Sequence, residues 1–211
     1  MNRLLIILIC VLSAMTSQAA KEKWVDPYKD YDETRFMDMD FDQNILTPKV
    51  GKAEHQAVSR HMTRLGINLA NKGYTVDKMR NDEVLVVTIP TDQLFLPNDT
   101  LILSSSVGKL AGITSLLRDP DMFKVVYAVH TDNTGSPIYN MELSHWRNNS
   151  IYDWFLTNVS EDQIVIPFEM GDTDPVEKNN SRLGRMANRR LEIYLIPGPK
   201  MITQAHKGLL K

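Results

Sequence analysis

The spacing of apolar residues along this 211-residue chain changes several times, and each spacing predicts a different element. Val58, Met62 and Leu65 recur four and three residues apart, which is the period of one apolar helix face. We therefore expect a helix over residues 53–71. Gly73 should end it, because a residue without a Cβ atom adopts a left-handed conformation at little cost.

Shorter apolar runs predict strands. Residues 84–87 are continuous and mostly β-branched, which is typical of a strand buried on both faces. Ser136 and Pro137 pair an N-cap residue with a proline suited to the first helical turn. The expected strands cover 74–79, 84–89, 123–129, 163–168 and 191–196, and further helices cover 97–117 and 136–158. Strands and helices alternate before a closing strand pair, which favours an α+β fold with helices packed on one mixed sheet.

The first nineteen residues have the three parts of a cleavable secretory signal. A short cationic head at Arg3 precedes an apolar run over 4–12, and Ser17 and Ala19 supply small side chains at the two positions that a signal peptidase reads. We expect cleavage after Ala19, with cleavage after Ala20 as the alternative. A membrane-spanning helix would need about 20 apolar residues, so we expect a soluble protein that is exported to the periplasm.

Cys10, the only cysteine, lies inside this predicted signal. A lipid anchor at Cys10 is the alternative, but Ile9 precedes it where a small residue is expected. After cleavage the chain would have no disulfide, no thiol nucleophile and no thiolate metal site. The formal net charge of −2 also argues against general attraction to nucleic acid, which needs a basic surface.

Residues 20–50 read as a solvated acidic linker with scattered aromatic residues. The alternating aspartates that begin at Asp38 resemble the first ligands of a calcium loop. Such a loop also needs a glycine at its sixth position and a glutamate at its twelfth, where this chain has Gln43 and Lys49. We therefore predict no metal site in this segment, and no cofactor is expected anywhere in the chain.

The most informative polar residues lie where a buried strand should end and a capped helix should begin, a place where ligands commonly bind. On the helix, Asn140, Ser144 and Arg147 are four and three residues apart and share one face. Asp132, just after the strand, offers a carboxylate, and Arg147 offers a planar cation. A small zwitterion, such as an amino-acid head group, would satisfy both. An internal salt bridge between Asp132 and Arg147, with no ligand, fits the residues equally well.

Three motifs in order, 131–135, Asn140-x-x-Leu143-Ser144-x-x-Arg147 and 184–192, give residues 83–197 a resemblance to the OmpA-like domain. The resemblance implies a βαβαββ fold, here preceded by an N-terminal helical extension. It also implies non-covalent binding of the diaminopimelate side chain in peptidoglycan stems. The binding residues that the resemblance implies are Asp132 and Arg147, supported by Thr131, Asn140 and Arg189.

The sequence departs from the family pattern at a few positions. Val129 stands where a glycine is usual, Asn148 replaces a common alanine, and a Gly-x-Gly motif is reduced to Gly171. None of these changes touches Asp132 or Arg147, so binding is still expected, with an altered side wall. The family's first strand enters its binding loop over 89–95, where the sequence alone assigns no ligand residue.

Other chemistry is less well supported. His130, Asp132 and Ser144 could be read as a hydrolytic triad, but nothing like a nucleophile elbow surrounds the serine, so no enzyme is predicted. His130 reads instead as a hydrogen-bonded structural histidine. Four arginines form a basic cluster that fits either a phosphate or glycan contact or bonds to the carbonyls of the preceding loop. These are Arg182, Arg185, Arg189 and Arg190.

Two function classes therefore remain. The first is a periplasmic module that tethers the outer membrane or an envelope complex to peptidoglycan. The second is an envelope interaction protein that retains the fold and binds a protein partner through its N-terminal extension. The predicted organisation is a signal peptide over 1–19, an acidic linker over 20–50, a helix and strand extension over 51–82, the OmpA-like domain over 83–197 and a tail over 198–211.

Overall fold

The computed structural model describes residue 24 and residues 33–210. The predicted signal peptide and the first part of the acidic segment lie outside the described residues. The helices are α1 Glu33–Met37, α2 Phe41–Leu46, α3 Lys52–Asn71, α4 Val107–Thr114, α5 Pro137–Asn158, α6 Arg182–Asn188 and α7 Pro199–His206. The strands are β1 Thr75–Met79, β2 Val84–Pro90, β3 Phe123–His130, β4 Val165–Gly171 and β5 Arg190–Pro197. Two short 3₁₀ turns, Thr91–Gln93 and Ser104–Ser106, follow β2.

The five strands form one mixed sheet in the order β1-β2-β5-β3-β4. Only β3 and β4 are parallel, and the other neighbours are antiparallel. Every residue of β3 is buried, because the strand lies inside the sheet and both of its faces are covered. The predicted α+β fold with a mixed sheet is confirmed.

The first face of the sheet is the side covered by α3, α4, α5 and α7. Alternate strand residues such as Val87, Val125 and Ile193 point into this layer and form the larger core with the helices. The C-terminal segment contributes to it, because α7 packs against α3 and buries Met201. Residues 198–211 were expected to be a tail, but they hold a helix of the core.

The second face is covered by the segment 33–47, which we call the N-terminal strap. Phe36 and Ile45 are buried against the other set of alternate strand residues. The expectation of a solvated linker is therefore wrong for the strap, in which one of the aspartates has a structural role. The Asp40 carboxylate caps α2 by accepting a hydrogen bond of 2.7 Å from the backbone N–H of Gln43.

The expected helix over 97–117 is also wrong in its first half, where the chain forms a loop. Asn98 adopts a φ of 57°, and the Asp99 carboxylate accepts hydrogen bonds from the backbone N–H groups of the next two residues. This local bonding offers the backbone an alternative to the helix, so α4 begins only at Val107. The loop that results, residues 96–103, forms one wall of the cleft described next.

Candidate binding cleft

A cleft of about 480 Å³ opens where β2 and β3 end and α5 begins. The sequence shapes this junction locally. Gly135 turns the chain with a φ of 104°, and the Ser136 hydroxyl then caps α5 by accepting from the backbone N–H of Tyr139 at 3.1 Å. All five residues that the sequence predicts for the site line this cleft, namely Thr131, Asp132, Asn140, Arg147 and Arg189.

Asp132 is buried just beyond the end of β3. One of its carboxylate oxygens accepts from the backbone N–H of Thr134 at 2.7 Å, and the other accepts from Arg189 Nη1 at 2.5 Å. Burial raises the pKa of Asp132, but the hydrogen bonds from Thr134 and Arg189 outweigh it and hold the pKa below its usual value. The carboxylate is therefore ionised at neutral pH and can attract an ammonium group.

Arg147 projects from the buried face of α5 and is only 4% exposed. Its Nε donates to the carbonyl of Asp99 at 2.9 Å, and its Nη2 donates to the carbonyl of Leu96 at 3.3 Å. The guanidinium also lies over the Phe95 ring, 4.9 Å from the centroid. Burial lowers the pKa of Arg147, yet an arginine keeps its proton at neutral pH.

The structure does not form the internal salt bridge that the sequence left open. Asp132 pairs with Arg189, and within the described part of the chain no carboxylate forms an ion pair with Arg147. Backbone carbonyls orient the Arg147 guanidinium without neutralising it. A buried charge without a counter-ion is costly, so this end of the cleft favours an anionic group.

Arg189 links the two sides of the cleft floor. Besides its bond to Asp132, it makes a two-pronged contact with Asp92, through Nε at 2.9 Å and Nη2 at 2.7 Å. The hydrogen bond from Arg189 holds the pKa of Asp92 below its usual value. Sequence reasoning did not assign Asp92, although an acidic residue at the end of a predicted strand was the available signal.

Two buried polar groups in the cleft lack hydrogen-bond partners among the described residues. They are the Nδ2 amide of Asn140 and the Oγ1 hydroxyl of Thr131. Buried polar atoms are nearly always paired in native proteins. Both side chains line the cleft, so a polar ligand could supply their missing partners.

Ser144 and His130 have structural contacts outside the cleft. Ser144 Oγ donates to the carbonyl of Met141 at 2.8 Å and accepts from the backbone N–H of Gly171 at 3.1 Å. His130 Nε2 lies 3.3 Å from a carboxylate oxygen of Glu192, without the geometry of a hydrogen bond. The hydrolytic triad is therefore not assembled, and the buried histidine contacts Glu192 as a structural residue.

Gly171, to which the expected Gly-x-Gly motif is reduced, has a clear structural role. Gly171 adopts a φ of 52°, and a Cβ atom there would lie 3.3 Å from the backbone of Met141 in α5. The residue thus permits both the turn at the end of β4 and the close approach of the helix that carries the cleft residues.

The basic cluster surrounds the loop before α6, and two of its members, Arg185 and Arg189, also line the cleft. Arg185 donates to the carbonyl of Asn179 at 2.9 Å, and Arg190 donates to the carbonyl of Asp174 at 3.1 Å. These two arginines therefore donate to carbonyls of the preceding loop, which was one of the two expected interpretations of the cluster. Among the described residues, no three His, Cys, Asp or Glu side chains lie close enough together to hold a metal ion.

The cleft thus places an ionised carboxylate, a guanidinium without an ion-pair partner among the described residues and two unpaired polar groups around one space. Phe95, Leu96 and Leu143 contribute apolar surface to the same space. This arrangement is complementary to a small group that carries an ammonium and a carboxylate at one end and a hydrocarbon stem behind them.

Comparison with known proteins agrees with this fold. The chain is 25% identical over 126 residues to "Probable lipoprotein YiaD" of Escherichia coli (strain K12), which covers 60% of this chain and 58% of the relative. It is 28% identical over 80 residues to "Outer membrane protein A" of Bordetella avium, which covers 38% of this chain and 41% of the relative. The chain therefore spans about half the length of these relatives. No family model matches it.

Among solved structures, the cell wall anchor of the T6SS from Pseudomonas aeruginosa has a similar fold. The TM-score is 0.51 at 25% identity, and the match covers 66% of this chain and 96% of the anchor. None of the helices within residues 33–210 is long and apolar enough to cross a membrane.

Proposed function

Because the chain contains an OmpA-like domain, we propose that it binds peptidoglycan non-covalently in the bacterial periplasm. Binding would tether the outer membrane or an envelope complex to the cell wall. The similarity to a protein described as a cell wall anchor supports this proposal. The ligand group that we propose for the cleft is the amino-acid end of the diaminopimelate side chain in the stem peptide.

The observation that carries the proposal is the state of Arg147. Its guanidinium is buried, oriented by two carbonyls and not paired with any carboxylate of the described residues. In the proposed complex the ligand carboxylate binds Arg147, and the ligand ammonium lies near Asp132. Asn140 and Thr131 supply the remaining polar contacts, and Arg189 positions Asp132 from behind.

A second function, binding of an envelope protein, is favoured by a specific feature of the strap. Met37 and Leu46 are about half exposed, whereas Phe36 and Ile45 of the same strap are buried. These two side chains would suit a protein partner at the second face. This function does not exclude wall binding, because the second face and the cleft are separate surfaces.

The decisive experiment compares two kinds of purified sacculi. In one the stem peptide has diaminopimelate, and in the other it has lysine, which lacks the carboxylate at the side-chain end. We expect the protein to prefer diaminopimelate sacculi and the Arg147→Ala variant to lose the preference. Arg60→Ala, which removes an exposed arginine from α3, is the matched control and should retain it. Equal binding of the wild-type protein to both kinds of sacculi would contradict the proposed ligand.

The proposed location has its own test. The intact mass of the protein recovered from the periplasm should correspond to a chain that begins at Ala20 or Lys21, without lipid. A mass that includes acyl chains on Cys10 would show an anchored lipoprotein instead. That result would contradict export as a soluble protein but would not contradict wall binding.

A further inference from the structure

Helix α5 carries an unusual surface residue beyond the cleft. The Trp146 side chain is 58% exposed, although tryptophan is on average a highly buried residue. Nothing in the packing of α5 requires an indole there, because the helix buries its opposite face through Ile151 and Phe155. The indole therefore offers a large apolar surface to a binding partner.

Neighbouring side chains hold this indole in place. The His145 ring packs edge-on against it, with the ring centroids 5.2 Å apart and the planes at 74°. His145 Nδ1 lies 2.6 Å from a carboxylate oxygen of Glu169 on β4, and Asn149 Nδ2 lies 3.2 Å from His145 Nε2. The contacts fix the histidine from two sides, so it supports the indole as a preformed part of the surface.

The indole is continuous with the cleft along the helix. Tyr139 and Leu143 line the cleft, and Trp146 follows them at the i, i+4, i+7 spacing that places residues on one stripe of a helix. At a rise of about 1.5 Å per residue, Trp146 lies about 10 Å along the axis from Tyr139. A ligand that fills the cleft and continues along this stripe would reach the indole.

We propose that Trp146 is a glycan subsite of the same binding surface, where the indole stacks on a pyranose ring of the peptidoglycan sugar strand. This inference rests on the proposed function, in which the stem peptide occupies the cleft. In peptidoglycan the stem peptide is attached to the glycan, so a bound stem brings sugar rings close to the domain.

The chemistry of the platform fits a sugar. The face of an aromatic ring is the negative side of its quadrupole, and the C–H groups on one side of a pyranose carry a partial positive charge. Sugar hydroxyls at the ring edge need polar partners. Asn149 and Glu169, which hold His145 beside the indole, are exposed and keep acceptor oxygens for these hydroxyls.

The test measures two soluble ligands by calorimetry, with protein expressed from its full sequence. One ligand is the free diaminopimelate-containing stem peptide, and the other is the same peptide attached to its glycan disaccharide. We expect the sugars to strengthen binding about tenfold, the size of a well-made aromatic contact. Trp146→Ala should lose this gain and bind the free peptide as wild type does. Trp146→Phe should recover part of the gain.

Leu156→Ala is the matched control, because Leu156 is an exposed apolar residue of the same helix outside the stripe. It should bind both ligands as wild type does. If the wild-type protein binds the free peptide and the sugars add nothing, the subsite is wrong and the proposed function stands. If neither ligand binds, the proposed function fails. Concentration-dependent dimers that Trp146→Ala abolishes would make a second copy of the chain the occupant and would overturn the inference.

Discussion

Two regions of this molecule bury a single cation in nearly the same way. Arg147 at the cleft and Lys124 under the strap are 4% and 1% exposed. Each donates to a backbone carbonyl, of Asp99 at 2.9 Å and of Asn44 at 2.7 Å. Each also lies over a phenylalanine ring, at 4.9 Å for Arg147 and 4.3 Å for Lys124.

The two regions differ in what closes them. Around Lys124 the strap supplies two partners from one residue, since both the carbonyl and the side-chain oxygen of Asn44 accept from the ammonium. Burial, with a contribution from Arg80, lowers the pKa of Lys124 to about 7, so the lysine can shed its charge. Arg147 cannot lose its proton in this way and faces an open cleft. The comparison indicates that Lys124 holds the strap on the sheet, whereas Arg147 faces the space in which we propose that the ligand binds.

The largest effect is expected at the strap. Phe36→Ala should lower the free energy of unfolding by about 3–5 kcal/mol, because it leaves a cavity between the strap and the second face of the sheet. Urea unfolding measures the change. Met37→Ala, an exposed residue of the same helix, is the control and should cost less than about 1 kcal/mol. A Phe36→Ala protein with wild-type stability would show that the strap does not stay on the sheet.

At the cleft the expected effect is on binding. Arg147→Ala should weaken binding to diaminopimelate sacculi by about ten- to a hundredfold, since a hydrogen bond to a charged group contributes about 1.5–3 kcal/mol. Arg147→Lys should recover only part of it, because an ammonium cannot make a two-pronged carboxylate contact. Quantitative pull-downs, with thermal unfolding of the same samples, measure both properties. Full affinity in a folded Arg147→Ala protein would falsify the site assignment.

The two buried cations should differ in how they affect the pH dependence of the free energy of unfolding, because only Lys124 can lose its proton near neutral pH. Below about pH 7, Lys124 is protonated in both the folded and the unfolded chain, so it adds no pH dependence. Between about pH 7 and the ordinary lysine pKa of about 10.4, only the unfolded chain holds the proton, and stability should rise with pH. Urea unfolding at about pH 6 and about pH 9 measures the rise. Lys124→Met should flatten it, whereas Lys109→Met, at an exposed lysine, should leave it unchanged.

The smallest effect is expected at Asp92, whose side chain is about half exposed. Asp92→Asn removes the charge that pairs with Arg189 but leaves the hydrogen bond from Arg189 to Asp132. The affinity for sacculi should therefore fall less than about fivefold. Asp132→Asn should cost more, because it removes the charge that faces the ligand. If the two variants lost equal affinity, Asp92 itself would be the residue that holds the ammonium.

The part of the site that the sequence predicted depends on short-range signals. Ser136 and Pro137 mark the start of α5, and the helical period then places Asn140 and Arg147 on one face. No short-range signal of this kind identifies the ion-pair partner of Asp132. Arg189 is 57 residues further along the chain, and its competition with Arg147 for the carboxylate is decided by tertiary packing.

The errors have equally local reasons. The apolar spacing over 97–117 is genuine, but the Asp99 carboxylate binds neighbouring N–H groups and diverts the backbone into a loop. In the strap, Phe36 and Ile45 belong to two short helices with a break between them, so no single period reveals that both are buried. Acidic composition alone therefore suggested a linker.

The position of β3 has a mechanical consequence. Lys124, near the start of this strand, holds the strap, and Asp132, just past its end, lies in the cleft. A pulling force between the strap and a bound wall would run along β3, almost parallel to the strand. The hydrogen bonds of β3 to β4 and β5 lie across that direction. They would share the load in shear rather than open one after another, as the proposed tether would require.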